Sequence, residues 1–261
     1  MIGILDSGIG GLTVARALSD RLPDYNMVFF GDTARGPYGS KSAEIVTDCT
    51  LRGIDFLLNR GSEIIVIACN TASCLAGERV TERFDIPIFE AVTPAAELSV
   101  EISEKSGIGV IGTRAVIDSG AYEKKIRELD PRARVCSAAC PLLVPLVEEG
   151  WLRKPETRMI VKKYLHPLKV RQIDTLIMGC THYPILKKII QRKIGKRVSL
   201  IDSSTTVAEK VRQFLEQHPE TDDLLGKEGE TEFFVSDLTE HLKKAAKVTF
   251  GRNVLLKRIE H

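Results

Sequence analysis

No stretch of the 261-residue chain approaches the ~20 consecutive apolar residues that a helix needs to cross a bilayer. The opening residues 1–11 have no basic cluster ahead of an apolar segment. No secretory leader is therefore expected, and the cytoplasm is the expected compartment. The six cysteines, Cys49, Cys69, Cys74, Cys136, Cys140 and Cys180, include no CxxC pair, and Cys136 and Cys140 have no second pair to complete a zinc site. Free thiols, without a disulfide framework or a metal, are the expectation. A large excess of one charge is missing too. The 37 basic and 35 acidic side chains leave +2, which makes no electrostatic case for a nucleic acid or a membrane surface. No GxxxxGK[ST] phosphate loop occurs, and Gly8-Ile9-Gly10-Gly11 lacks the third glycine of the dinucleotide fingerprint. The basic runs 162–171 and 187–197 are interleaved with apolar residues at helical spacing. They read as solvated helix faces, without the aromatic interleaving of a single-strand binder.

What is present is an ordinary globular composition, 43% hydrophobic and 28% charged, in a chain long enough for two small domains or one large one. Short apolar runs at 2–5, 27–30, 64–68, 86–89, 109–111, 175–178 and 198–201 alternate with amphipathic segments. Those segments lie at 11–21, 42–60, 71–84, 93–105, 117–129, 156–169, 185–194 and 206–217. Such alternation predicts βαβ units and an α/β fold with parallel sheets. The polar stretch 217–231 reads as a surface loop, followed by a short strand at 232–235 and a helix at 238–246 that could pack on either half. In this class ligands sit beyond the carboxyl ends of the strands, so the informative residues follow each apolar run.

Those positions repeat. Gly3-Ile4-Leu5-Asp6-Ser7 resembles Gly109-Val110-Ile111-Gly112-Thr113 at an offset of 106 residues. Ile67-Ala68-Cys69-Asn70-Thr71 resembles Met178-Gly179-Cys180-Thr181-His182 at an offset of 111. Two motifs in the same order at nearly the same spacing predict two similar α/β halves, each with a cysteine where a strand gives way to a helix. A helix N-terminus favours the thiolate over the thiol, whose free pKa is about 8.5. If the halves face each other, two thiols meet one cleft from opposite sides. One can remove a proton while the other delivers one to the opposite face.

Asp6 is placed to assist a thiol, and equally to cap the helix that begins near Gly11. His182, two residues beyond Cys180, could assist on the other side, helped by Glu148, which also fits an ordinary surface carboxylate. Ser7, Asn70, Thr71, Thr113 and Thr181 offer hydroxyl, amide and backbone N–H groups suited to a small zwitterion. The turn-rich loop 31–41 could bring Tyr38 and Gly39 to the cleft. Two rival readings stay open at this point. A Cys180–His182 hydrolase leaves Cys69 unexplained and asks much of residues two apart, and a two-lobed binding module would have no chemistry at all.

Taken together, Leu5-Asp6-Ser7-Gly8, Gly31-Asp32-Thr33-Ala34-Arg35 with Pro37-Tyr38-Gly39, Ala68-Cys69-Asn70-Thr71 and Gly179-Cys180-Thr181-His182-Tyr183-Pro184 resemble the glutamate racemases of the aspartate/glutamate racemase superfamily. The motifs run from Asp6 to Asp202. The resemblance implies cofactor-independent interconversion of L- and D-glutamate, with D-glutamate supplied to bacterial peptidoglycan. It implies two pseudo-symmetric, doubly wound α/β domains with mostly parallel sheets and the active site in the cleft between them. Residues 1–92 with 206–261 would carry Cys69, and residues 93–205 would carry Cys180. It further implies a homodimer with no cofactor, nucleic-acid or membrane partner. By motif, Cys69 and Cys180 are the acid/base pair, Asp6 the partner of Cys69, and His182 and Glu148 the helpers of Cys180. Asp6, Ser7, Tyr38, Gly39, Asn70, Thr71, Thr113, Thr181 and His182 match the family's substrate-binding positions. The nearest alternative is an aspartate racemase, against which Thr181-His182 argues.

Overall fold

The computed structural model describes residues 1–259. Its strands are β1 (Ile2–Asp6), β2 (Met27–Gly31), β3 (Ile64–Ile67), β4 (Ile88–Glu90), β5 (Gly107–Gly112), β6 (Arg134–Ala139), β7 (Thr175–Gly179), β8 (Ser199–Asp202), β9 (Thr231–Val235) and β10 (Leu256–Arg258). They form two sheets, β10-β9-β2-β1-β3-β4 and β6-β5-β7-β8, and every pairing is parallel. The run β2-β1-β3-β4 and the whole of β6-β5-β7-β8 have the same order, so the second sheet repeats the topology of the first. The short sequence repeats fall on matching strand ends: β1 corresponds to β5, and β3 to β7.

Each sheet is covered on both faces, which explains why strands such as β1 and β7 are buried along their length and mostly apolar. Alternate residues serve opposite faces. Ile2, Ile4, Met27, Phe29, Ile64 and Val66 pack with Val14, Leu18, Val207, Val211 and Phe250 on one side. Leu5, Val28, Phe30, Ile65 and Ile67 meet Val46, Ile54, Leu57 and Val80 on the other. In the second sheet, Ile108, Val110 and Ile177 pack with Val92, Ala95, Ala96 and Ile126. Its opposite face sets Ile111, Leu176 and Met178 against Val161, Leu165, Leu168 and Ile190.

The chain crosses between the sheets twice. Helix Val92–Ile102 follows β4 yet buries Val92, Ala95 and Ala96 in the second core. Helix Ser203–Gln217 follows β8 and returns Val207, Val211 and Leu215 to the first. The C-terminal strands β9 and β10 extend the first sheet beside β2, which places the segment that could have packed on either half.

Several local expectations shift. The 117–129 segment is two helices, Arg114–Asp118 and Ala121–Leu129, separated at Gly120, whose φ of 65° lies in the left-handed region that glycine enters without strain. The polar 217–231 stretch holds a helical turn, Pro219–Asp222, and the last helix runs Glu240–Phe250. The apolar runs did not reveal β6, because none of its residues is fully buried and Arg134 and Ser137 are exposed on this sheet-edge strand. All six cysteines are free thiols. Among the described residues no helix is long and apolar enough to cross a membrane.

Candidate active site

In both sheets the strand order reverses direction at a matching pair, β1/β3 in one and β5/β7 in the other. A doubly wound sheet leaves its ligand crevice beyond such a pair. Asp6 ends β1 and Ser7 follows it; Cys69 lies just past β3 as the N-cap of helix Asn70–Arg83. Across the crevice, Thr113 follows β5 as the N-cap of Arg114–Asp118, its hydroxyl accepting from the Val116 N–H. Cys180 directly follows β7. The two lobes meet through these residues. The Thr181 hydroxyl donates to Asp6 Oδ2 at 3.4 Å, and the Thr71 and Thr113 hydroxyls are 3.1 Å apart.

Close approach depends on a missing side chain at Gly10. A Cβ there would lie 2.3 Å from Thr181 Oγ1 and 2.5 Å from His182 Nδ1. The same contact is held by Thr13, whose hydroxyl lies within hydrogen-bonding distance of the carbonyls of Gly10 (2.9 Å) and Thr181 (3.1 Å), one acceptor on each lobe.

The two thiols are similarly buried, 5% exposed at Cys69 and 6% at Cys180, but their surroundings differ. Cys69 Sγ donates to Ser7 Oγ at 3.4 Å. Burial pushes the Cys69 thiol up to about 12, the Asp6 carboxylate adds to this, and the Ser7 hydroxyl and the Ala72 N–H oppose it. Cys180 Sγ lies 3.9 Å from His182 Nδ1. His182 Nε2 lies 3.2 Å from Glu148 Oε1, a short but oblique approach that leaves Nε2 without an aligned hydrogen bond. Burial acts to lower the His182 pKa, but Cys180 and Glu148 together outweigh it and lift the imidazole to about 10. Asp6 is wholly buried, and desolvation raises it to about 6 against the pull of His182 and the N–H groups of Gly8 and Gly11. Its Oδ1 accepts from Gly8 N at 2.9 Å. Asp6 thus stands between the two cysteine sites, bonded to Thr181 while acting on the charge of Cys69.

The remaining expected residues divide. Gly39 packs so tightly on Thr113 that a Cβ would lie 2.7 Å from its side chain. The Tyr38 phenol is buried and donates to Asp32 Oδ2 at 2.7 Å. Asn70 is at the site, yet its amide is engaged elsewhere: Tyr122 donates to its Oδ1 at 2.6 Å, and its Nδ2 donates to Ser203 Oγ at 3.2 Å. Ser203 in turn donates to the Met178 carbonyl in β7. Tyr122, Ser203 and Thr13 were not anticipated, since nothing in their local sequence reveals partners so distant in the chain.

A cavity of about 180 Å³ is lined by Ser7 and His182, the partners of the two thiols, and by Glu148 and Glu149, with His241 and Leu242 of the last helix at its wall; neither cysteine is part of that lining. It brings together hydroxyl, carboxylate and imidazole groups that can bind a small polar molecule beside the partners of the two thiols.

A family model described as Asp/Glu/Hydantoin racemase matches residues 12–211. A glutamate racemase of Syntrophus aciditrophicus (strain SB) is 40% identical over 254 residues, covering 97% of this chain and 93% of that protein. Among solved structures, a glutamate racemase isoform from Bacillus anthracis has a TM-score of 0.93 and 34% identity, covering 100% of this chain and 97% of that one. The glutamate racemase of Francisella tularensis, solved in complex with D-glutamate, has a TM-score of 0.91 and 33% identity, covering 99% and 97%. With the family model spanning most of the fold and these relatives matched nearly end to end, the chain belongs to the Asp/Glu/Hydantoin racemase family, among its glutamate racemases.

Proposed function

We propose that this chain interconverts L- and D-glutamate without a cofactor, using Cys69 and Cys180 as two bases on opposite faces of the α-carbon. One thiolate takes the α-proton, leaving a carbanion stabilised through the substrate carboxylate; the other thiol delivers its own proton to the opposite face. The reverse reaction exchanges the roles. The observation that carries this reading is the pair of buried thiols at corresponding strand ends of two sheets with the same order, with Thr181, next to Cys180, bonded across the crevice to Asp6.

An amino-acid α-proton is far less acidic than a thiol, so the site must help by desolvation, by positioning and by hydrogen bonds to the carboxylate. Burial and the Asp6 carboxylate keep Cys69 protonated at neutral pH. A substrate ammonium set beside Asp6 offsets that negative charge, and Cys69 acts as a base once its own proton has passed to the Asp6 carboxylate. On the other side, the His182 imidazolium, held by Glu148, stabilises negative charge on Cys180 as protons move. Ser7, Thr71, Thr113 and Thr181 supply hydroxyls to the substrate carboxylates. Tyr38, Gly39, Asn70 and His182 add backbone groups, the phenol of Tyr38 and the amide of Asn70 being engaged with protein partners.

In this reading residues 1–92 with 206–261 form the lobe carrying Cys69, and residues 93–205 the lobe carrying Cys180. The enzyme acts in the bacterial cytoplasm as a homodimer and supplies D-glutamate for peptidoglycan. Glutamate is favoured over aspartate by the relatives matched nearly end to end and by the Francisella tularensis relative solved with D-glutamate. The test is polarimetry with purified protein and no added cofactor. L-glutamate should lose its rotation completely while L-aspartate keeps it. Loss of rotation with aspartate alone would reassign the substrate, and Cys69→Ala or Cys180→Ala variants that still turn over would overturn the two-thiol mechanism.

A further inference from the structure

The near-neutral total charge conceals a marked asymmetry. Residues 153–197 contain thirteen of the 37 basic side chains and two of the 35 acidic ones, a net +11, which leaves 24 basic and 33 acidic residues, or −9, for the rest. The fold gathers that excess on one surface. Helices Pro155–Val170 and Lys187–Ile194 pack against each other on the same face of the second sheet, with Val161, Leu165, Leu168, Ile190 and Ile194 turned to the core. Their outer sides and flanking turns leave twelve of the thirteen basic residues exposed and Lys193 half-buried.

These charges have no acidic partners among the described residues, and the Arg158 guanidinium donates only to the Arg153 carbonyl. Among the described residues none of the thirteen forms an ion pair, whereas thirteen of the other 24 do. Of the two acids in the stretch, Asp174 accepts from Ser103 and the Lys105 N–H. The next acids in sequence, Glu148 and Glu149, line the site cavity. A symmetric dimer built on this face would set like charge against like charge, so the face stays open to a partner of opposite sign.

Apolar side chains rise from the same surface. Met159 (66% exposed) and Val170 (65% exposed) share a helical stripe with Lys163 and His166, spaced by four, three and four residues. Trp151, the only tryptophan, is 43% exposed beside Arg153 and Lys154. The Thr157 hydroxyl, donating to the Trp151 carbonyl, ties it to the first turn of the helix. Phosphates of a nucleic acid offer nothing to Met159 or Val170. A bilayer interface accepts both, favours tryptophan at headgroup depth, and attracts each neighbouring cation when its lipids are anionic.

We infer that the joined outer faces of Pro155–Val170 and Lys187–Ile194, with Trp151 at their edge, form a docking surface for an anionic lipid bilayer. The single tryptophan makes the test direct. Full-length protein is mixed with phosphatidylglycerol-containing vesicles or with phosphatidylcholine vesicles, and co-sedimentation and Trp151 emission are read together. The expected result is sedimentation with a blue shift on the anionic vesicles only, both lost as salt is raised. A Lys162→Glu, Lys163→Glu, Lys187→Glu, Lys188→Glu variant should bind at least about tenfold more weakly while its racemase activity is unchanged. Failure of the parent to sediment, or equal binding by the variant, overturns the inference. So does retention of duplex DNA by protein that ignores the vesicles, which would assign the face to a nucleic acid.

Discussion

Thr181, the residue after Cys180, donates its hydroxyl to the buried carboxylate of Asp6, the last residue of β1, across 3.4 Å. This contact joins the two lobes at the site and makes Asp6 answerable to both thiols. Burial of that carboxylate, which the Thr181 bond only partly offsets, sets a cost. The folded protein holds the Asp6 proton up to about pH 6, well above the ordinary 3.8, so this group favours the fold most below pH 4 and loses that contribution as pH rises through 6.

Asp6→Asn should therefore be more stable than the parent above pH 6, by an amount of order 1–3 kcal/mol, with the advantage closing as pH falls from 6 to 4. Turnover should drop by roughly 100-fold. Thermal unfolding across that pH range checks the sign, and an advantage that grows on acidification would contradict it.

His182 behaves in the same direction at higher pH. Its pKa, lifted from 6.5 to about 10, gives a contribution that is full below pH 6.5 and lost as pH rises through 10. Glu148→Gln removes one source of that lift, so the alkaline fall in Tm should begin at lower pH. The half-exposed carboxylate limits the change to about 1 kcal/mol. An unaltered alkaline limb would show that Glu148 does not hold the imidazolium.

Gly10→Ala tests the approach of the lobes. The added methyl would lie 2.3 Å from Thr181 Oγ1 and 2.5 Å from His182 Nδ1, so the Cys180 side must move away. Displacement of about an ångström is expected to lower kcat by roughly 100-fold in a folded protein. Near-normal kcat with folding intact would mean that this spacing is not critical.

Asn70 distinguishes a scaffold from a substrate contact. Tyr122→Phe removes the donor to buried Asn70 Oδ1 and should cost about 1–3 kcal/mol. Asn70→Ala should cost a similar amount, and the double variant should fall short of their sum. Additive stability losses with a raised KM in Asn70→Ala alone would instead assign the amide to the substrate.

The features legible in the sequence are those written in local pattern. Apolar runs marked most strands, and polar residues following them marked Cys69 and Cys180. The Gly3/Gly109 and Ile67/Met178 repeats anticipated matching strand ends in the two sheets. Long-range partnership was not legible. Tyr38 reads as a loop residue at the cleft, but its phenol bonds Asp32; Asn70 reads as a ligand group, but its amide meets Tyr122 and Ser203, 52 and 133 residues away. Strand β6 lacked an apolar run because it lies at a sheet edge and buries little. The basic face required the packing of two helices to appear, since each run alone has the spacing of an ordinary amphipathic helix.

The central claim is that two thiols act on opposite faces of one carbon, and early-time isotope incorporation tests it most directly. L-glutamate is incubated with the enzyme in D₂O, and deuterium at Cα is measured separately in each enantiomer during the first few per cent of conversion. Two thiols predict that the D-glutamate formed carries deuterium while recovered L-glutamate remains unlabelled. Deuterium appearing equally in both enantiomers, or protium carried into the product, would contradict the account.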